Sequence, residues 1–188
     1  MAVTVFEIAN LRDYPEHVSE VAAWHHGEWL QGYRMAGKHA LLIELDKTAD
    51  LREREHNLRT HFNAPAVPST FIALAETNAP TQKQVIGSVS IVYYQFSKQR
   101  QASEWITNLY VVEAFRNNGI GEQLLEAIHQ YAAQNAIENL KLYTRDKEAY
   151  YLKRDWAFSH EGLVQGNRVS VLHKRVGERL PARVPVRP

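Results

Sequence analysis

A short glycine-containing segment, Arg116-Asn117-Asn118-Gly119-Ile120-Gly121, stands between an apolar run at 109–112 and a stretch with helical periodicity. The order is therefore strand, glycine turn and helix. Such a turn directs free backbone N–H groups and the positive end of a helix dipole at one point. This arrangement suits a ligand that carries phosphate. A tight connection without a ligand is also compatible with a Gly-x-Gly pair.

Two common phosphate-binding motifs do not fit this segment. A dinucleotide fingerprint needs a third glycine, and Leu124 occupies that place. A P-loop needs a lysine followed by serine or threonine, and the turn lacks this pair. The segment therefore predicts neither a nicotinamide site nor nucleotide hydrolysis.

A second group of chemistry-bearing side chains lies near the N-terminus, in Trp24-His25-His26-Gly27-Glu28-Trp29. Its aromatic, imidazole and carboxylate groups could line a pocket for an acceptor molecule. Two aromatic residues on one helix are also typical of a hydrophobic core. The adjacent histidines lack companions at metal-ligand spacing, so the sequence predicts no metal site.

Composition narrows the class of protein. The chain has 188 residues, 45% of them hydrophobic, which is enough for one domain with a substantial core. A formal net charge of +1 does not favour a nucleic-acid partner. The absence of cysteine excludes a disulfide scaffold, a thiolate zinc site and a cysteine nucleophile. Since no basic leader and no long apolar stretch is evident, we expect a cytoplasmic protein that does not enter a membrane.

Residue patterns predict the elements that must position these groups. An alternating strand at 3–8 precedes an amphipathic helix that opens at Tyr14-Pro15. A second helix is predicted at 50–62, with Asp50 as its N-cap. The remaining strands are predicted at 69–76 and 85–95, joined as a hairpin through 78–81, and at 104–112, 140–144, 158–164 and 169–174. The remaining helices are predicted at 119–135 and 147–154.

The order of these elements predicts a mixed α/β fold. Strand, helix and strand at 105–144 imply a right-handed parallel crossover beside an antiparallel N-terminal sheet. A single domain is expected at 1–176. Residues 177–188 alternate Arg, Val and Pro, which predicts a disordered or loosely docked tail.

The motifs resemble those of a known family. The segment Arg116 to Gly121, after Leu109-Tyr110-Val111-Val112, is similar to motif A of the GCN5-related N-acetyltransferases (GNAT), Gln/Arg-x-x-Gly-x-Gly/Ala. The resemblance extends over about 69–160 and includes Ala149-Tyr150-Tyr151 before Trp156. It implies a central mixed sheet of about six to seven strands flanked by about four helices. One residue departs from the pattern: Asp155 stands where glycine is common, although Asp adopts the left-handed conformation more readily than most residues.

The resemblance implies acetyl-CoA as co-substrate and no metal. Backbone N–H groups of Arg116, Asn117, Asn118, Gly119, Ile120 and Gly121 would bind the pyrophosphate. The strand edge at Leu109, Tyr110 and Val111 would hydrogen-bond the pantetheine arm and polarise the thioester carbonyl. Splaying of this strand from the strand at 140–144 is implied too. The Arg116 side chain would either contact phosphate or tie the loop to the fold.

The same resemblance implies a general acid. Tyr151 matches the tyrosine that in many family members protonates the departing coenzyme A thiolate. A phenol with a pKa of about 10 suits this step, because a thiol has a pKa of about 8.5. The alternative for Tyr151 is packing under Trp156, with Tyr150 as the exposed partner.

A general base is also needed, because only a neutral amine is nucleophilic. Family position favours Glu104 at the start of its strand. A solvated strand end is the alternative interpretation of Glu104, and His25, His26 and Glu28 are alternative bases.

The expected function is acetyl transfer from acetyl-CoA to a primary amine in a ternary complex. A small molecule, a peptide N-terminus or a lysine would serve as acceptor, with Trp24, His25, Glu28 and Trp29 as substrate-site candidates. One alternative is an acyl-CoA-binding sensor that is weakly active or inactive. Another is nucleic-acid binding by the basic tail, which lacks interleaved aromatic residues. The resemblance leaves homodimerisation open.

Overall fold

A mixed sheet forms the centre of the computed structural model, which describes residues 5–38, 46–77, 83–94 and 102–177. Within these residues seven strands pair in the order β1-β2-β3-β4-β5-β7-β6. Neighbouring strands are antiparallel except for the parallel pair β4 and β5. The predicted mixed α/β fold is therefore confirmed. The strands are Phe6–Asn10 (β1), Ser69–Glu76 (β2), Lys83–Tyr94 (β3), Ser103–Val111 (β4), Asn139–Thr144 (β5), Ala157–Val164 (β6) and Asn167–Arg175 (β7).

Four helices cover the sheet in the described residues. They are Val18–Met35 (α1), Lys47–Thr60 (α2), Ile120–Gln134 (α3) and Glu148–Leu152 (α4). Ile72 of β2 packs with the α1 and α2 side chains, whereas its neighbour Ala73 packs with those of α3. Because successive strand residues point to opposite faces, α1 and α2 lie on one face of the sheet and α3 on the other. None of these helices has the length and apolar character that a membrane span requires.

Two predicted helix starts differ from the structure. Short 3-10 turns at Leu11–Asp13 and Pro15–His17 precede α1, so this helix begins at Val18. The predicted N-cap Asp50 is wrong, because the Asp46 carboxylate accepts the N–H groups of Thr48 and Ala49. The predicted hairpin turn at 78–81 and the tail at 178–188 lie outside the described residues.

A divergence between β4 and β5 opens the middle of the sheet. Within the described strands, β4 pairs with β5 at one position, Trp105 with Lys141. The register between β3 and β4 shifts between Ser88 and Ser90, where Asn108 of β4 adopts a φ of 55°. Such a bulge bends the strand away from its neighbour. The splaying implied by the family resemblance is therefore present.

Helix α1 crosses this opening. Trp24 in its first half contacts Tyr110 of β4, with ring centroids 5.0 Å apart. Near its C-terminal end, the Gly32 carbonyl accepts a hydrogen bond of 3.0 Å from Asn167 Nδ2 at the start of β7. Helix α1 thus spans from β4 to the hairpin of β6 and β7, and it covers the cleft between β4 and β5.

Candidate active site

The glycine turn after β4 presents free main-chain donors. Gly119 is the N-cap of α3 with a φ of 77°, a left-handed conformation that favours glycine. An added Cβ there would meet no atom within 4 Å, so backbone conformation rather than space selects glycine. Within the described part of the chain, the N–H groups of 118–121 make no hydrogen bond. Donors at the start of a helix of 15 residues form a site suited to an anion.

The side chains of this turn hold its shape. Arg116 Nε donates to the Val111 carbonyl at 3.0 Å, and its guanidinium lies 5.9 Å from the Tyr110 ring centroid. Asn118 Nδ2 donates to the carbonyls of Phe115 and Arg116, both at 3.1 Å. In this structure Arg116 therefore ties the loop to β4, which is one of the two roles expected for it.

A cleft of about 770 Å³ lies between β4 and β5 beneath α1. It brings together residues that are far apart in the sequence, from α1, β4, the glycine turn and α4. Most of the predicted site residues belong to its lining. These are His25, Glu28, Trp29, Leu109, Tyr110, Val111, Arg116, Asn117 and Tyr151.

Other predicted site residues lie outside the lining of the cleft. Trp24 is half-buried and packs on Tyr110 instead. Residues 118–121 form the turn beyond the end of β4. Glu104 pairs with Tyr93 in the ladder of β3 and β4 and does not line the cleft. Its assignment as general base stays a prediction that this position does not favour.

Tyr151 combines packing with access to the cleft. Its ring meets Trp156 edge-on, with centroids 5.9 Å apart, and lies 5.2 Å from the Tyr150 ring. Burial, reinforced by Tyr150, raises the pKa of Tyr151 well above its ordinary value. The phenol therefore holds its proton at physiological pH. Tyr150 lies outside the lining, with the Arg154 guanidinium 3.7 Å from its ring centroid.

The segment after α4 accommodates the departure from the family pattern. Asp155 adopts a φ of 62°, the left-handed conformation that Asp adopts more readily than most other residues. Trp156 follows as a buried residue, 3% exposed. The turn therefore forms without glycine.

His25 is a neutral, buried group beside the β4 bulge. Its Nε2 lies 3.3 Å from Ser88 Oγ, and this hydroxyl donates to the Asn108 carbonyl at 3.4 Å. The Ser88 hydrogen is used in that bond, so His25 Nε2 acts as the donor to Ser88. Burial lowers the pKa of His25 to about 3. The imidazole is therefore uncharged at neutral pH and a weak base.

Charged residues that the sequence analysis did not select also line the cleft, among them Arg54 and Arg145. Arg54 makes two hydrogen bonds to Asp50, at 2.7 and 3.3 Å, and His26 Nδ1 lies 2.5 Å from the same carboxylate. Although burial opposes it, these bonds hold the pKa of Asp50 below its ordinary value. Arg145 follows the last residue of β5 directly. Because the carboxyl ends of parallel strands meet at one edge of the sheet, its position after β5 could have been used to predict it as a residue of the cleft.

The described residues contain no cluster of side chains that could bind a metal ion. Among residues 5–38, 46–77, 83–94 and 102–177, no three His, Asp or Glu side chains gather as a metal site would require.

Comparison with known families agrees with this geometry. Residues 68–157 match the family model described as an acetyltransferase (GNAT) domain. This stretch runs from the start of β2 to the start of β6 and includes β4, the glycine turn and Tyr151. No curated protein sequence matches the chain.

Solved structures share the fold over two thirds or more of this chain. An acetyltransferase of the GNAT family from Streptococcus pneumoniae has 17% identity and a TM-score of 0.59, over 92% of this chain and 100% of that chain. A GCN5-related N-acetyltransferase from Ralstonia eutropha JMP134 has 17% identity and a TM-score of 0.59, over 85% of this chain and 97% of that chain. Arabidopsis thaliana NAA60, solved in complex with acetyl-CoA, has 15% identity and a TM-score of 0.51, over 66% of this chain and 84% of that chain.

At these identities the structural likeness shows the fold, which is that of the GNAT acetyltransferase structures. The match of residues 68–157 with a GNAT acetyltransferase domain agrees with this fold. The family resemblance predicted from the sequence is confirmed.

Proposed function

We propose that this protein transfers an acetyl group from acetyl-CoA to a primary amine in a ternary complex. The observation that carries the proposal is the cleft between β4 and β5, which has Tyr151 in its wall and Asn117 in its lining, directly before the free main-chain donors of 118–121. Both substrates can meet in this cleft, so no enzyme nucleophile is needed. The complex of Arabidopsis thaliana NAA60 with acetyl-CoA, a protein of the same fold, supports this choice of co-substrate.

The chain's own groups provide the binding of the co-substrate. The free N–H groups of 118–121 would hold the pyrophosphate, since the helix start carries partial positive charge. The β4 edge that faces away from β3 would pair with the pantetheine arm as an added strand. A main-chain N–H on this edge would stabilise negative charge on the thioester oxygen.

Tyr151 would provide the proton for the leaving thiolate. Its hydroxyl is protonated at physiological pH and its residue lines the cleft. The packed rings of Tyr150 and Trp156 hold Tyr151 in place. A fixed donor of this kind is effective because orientation is provided before the reaction begins.

Glu28 is better placed than Glu104 to take the proton from the acceptor ammonium, directly or through water. It is exposed within the cleft lining, whereas Glu104 lies outside that lining. His25 is less suited to this role, because a pKa of about 3 makes its imidazole a weak base.

Calorimetry with acetyl-CoA, followed by turnover assays on a panel of primary amines, tests the proposal. We expect binding of acetyl-CoA and acetylation of at least one amine, with the rate corrected for hydrolysis of the thioester. Tight binding of acetyl-CoA without transfer to any amine would favour the sensor alternative. No heat of binding at all would contradict both functions.

A further inference from the structure

One arginine in the cleft lining has no polar partner among the described residues. Arg145 is exposed, lines the cleft and makes no hydrogen bond or ion pair with residues in the described ranges. The other cleft cations all have partners. Arg54 is bound to Asp50, Lys147 lies 3.1 Å from Asp146, and Arg116 is bonded to the Val111 carbonyl.

The guanidinium of Arg145 lies beside helix α1 and the turn between β6 and β7. Its Nη1 lies 3.1 Å from the point that a Cβ on Gly32 of α1 would occupy. Gln165, in the turn between β6 and β7, places its Oε1 still closer to the same point. The absence of a side chain on Gly32 therefore makes room for two polar groups. Asn167 fixes this corner by its bond of 3.0 Å to the Gly32 carbonyl.

This corner belongs to the acceptor side of the cleft. It lies against α1, whereas the free N–H groups of the glycine turn begin α3 on the opposite face of the sheet. The phosphates of coenzyme A are therefore not the expected partners of Arg145.

Helix α1 sets the spacing between Arg145 and the other polar groups of the cleft. His25, Glu28 and Gly32 share one face of the helix, at positions i, i+3 and i+7. With a rise of 1.5 Å per residue, Gly32 lies about 6 Å beyond Glu28 and about 10 Å beyond His25 along the axis. Glu28 likewise makes no hydrogen bond or ion pair within the described ranges. Glu28 and the Gly32 position beside Arg145 thus lie about one helical turn apart on α1.

We propose that the acceptor of this enzyme is an amine that carries a carboxylate, with the carboxylate bound by Arg145 and the amine directed toward Glu28 and the β4 bulge. This inference rests on the proposed acetyl transfer and specifies its substrate class. The planar guanidinium offers paired donors that match a carboxylate. At this corner of the cleft Arg145 provides one positive charge, which matches the single negative charge of a carboxylate better than that of a phosphate dianion.

The test compares amino carboxylates with their uncharged amides as acceptors. The probes are β-alanine, γ-aminobutyrate, 5-aminovalerate and 6-aminohexanoate, each beside its amide, at saturating acetyl-CoA. We expect at least one carboxylate to exceed its amide in kcat/KM by about 10-fold or more. In Arg145→Gln this preference should disappear through a rise in KM, while rates with the amides and the affinity for acetyl-CoA stay unchanged.

Two further variants separate charge recognition from structural damage. Arg145→Lys keeps the charge and should retain part of the preference. Arg168→Gln removes an arginine that is 86% exposed and outside the cleft, and it should behave like the unmodified protein. Binding of each probe to the complex with coenzyme A is measured by calorimetry as well, so that slow turnover does not obscure the comparison.

The outcomes distinguish this inference from the proposed function. Failure to bind acetyl-CoA contradicts the acetyl transfer itself. If acetyl is transferred to the amides as fast as to the amino carboxylates, the proposed acetyl transfer stands and the role of Arg145 is overturned. Calorimetry in which carboxylates bind no more tightly than amides, or a loss of acetyl-CoA affinity in Arg145→Gln, overturns it too.

Discussion

At the residue scale, the surroundings of Tyr151 allow its hydroxyl to be tested apart from its ring. Tyr151→Phe keeps the contact with Trp156 and removes the proton donor. We expect turnover to fall about 100-fold or more, because a positioned general acid contributes on that order. Steady-state kinetics, with calorimetry to show unchanged acetyl-CoA binding, measures the effect.

Tyr150→Phe is the matched control for this substitution. Its ring contacts Arg154 and Tyr151, and its residue lies outside the cleft lining. Turnover in this variant should stay within about 3-fold of the unmodified protein. Full activity in Tyr151→Phe would show that the tyrosine only packs.

Two carboxylates compete for the role of general base. We expect Glu28→Gln to lower kcat by about 100-fold, since a base within the cleft loses its proton-accepting group. Glu104→Gln should leave kcat nearly unchanged, because Glu104 lies outside the cleft lining. Steady-state rates with one amine decide between them. The opposite result would favour the family-based assignment of Glu104 over the position seen in the structure.

At the scale of elements, close approach of the backbone explains a glycine in β3. A Cβ on Gly87 would lie 2.8 Å from the Tyr110 carbonyl and 3.2 Å from Leu124 Cδ1. Because a backbone atom in a strand cannot move aside, we expect Gly87→Ala to lower the free energy of unfolding by about 1–3 kcal/mol. Urea unfolding measures this loss. Affinity for acetyl-CoA should fall too, since the clash displaces β4 and α3 at the proposed binding edge.

Gly27→Ala in α1 is the opposite case and serves as control. Gly27 is exposed, and an added Cβ meets no atom within 4 Å. Alanine should raise the free energy of unfolding by about 0.5–1 kcal/mol, because it restricts the unfolded chain more than glycine does. Destabilisation of both variants to the same extent would contradict the explanation by close approach.

At the scale of the whole molecule, three histidines make stability depend on pH. Burial is the main cause that lowers the pKa of His25 to about 3, and of His61 and His129 to about 4. In the unfolded chain each would titrate near its usual pKa of about 6.5. Between these values the unfolded state binds more protons, so acid favours unfolding.

The resulting prediction is a loss of stability on mild acidification. The contribution of the neutral histidines is fully present above about pH 6.5 and is lost progressively as the pH falls toward about 4. We expect the urea midpoint to fall markedly between about pH 7 and pH 5. Asp50 does not account for a loss of stability between about pH 7 and pH 5, because its pKa is lowered and its carboxyl is protonated only at more acidic pH. Equal midpoints at both values would show that these histidines are accessible to protons in the folded state.

The sequence by itself determined the order of the elements, the glycine turn after β4, and the place of Tyr151 and Asp155 in the segment that leads to Trp156. These features depend on side-chain periodicity and backbone preference over a few residues, which are visible without a fold. The start of α2 was not determined in this way, because Asp46 and Asp50 are both acceptable N-caps and only the folded backbone selects Asp46.

The tertiary structure alone decided which candidates share the cleft. Glu28 and His25 enter it because α1 crosses the gap between β4 and β5, and Glu104 does not because its strand position lies outside the lining. Arg145 lies beside Gly32 of α1, and Asn167, which is 135 residues from Gly32 along the chain, binds the Gly32 carbonyl at the same place. Contacts between such distant residues depend on the packing of whole elements, and no local pattern in the sequence records them.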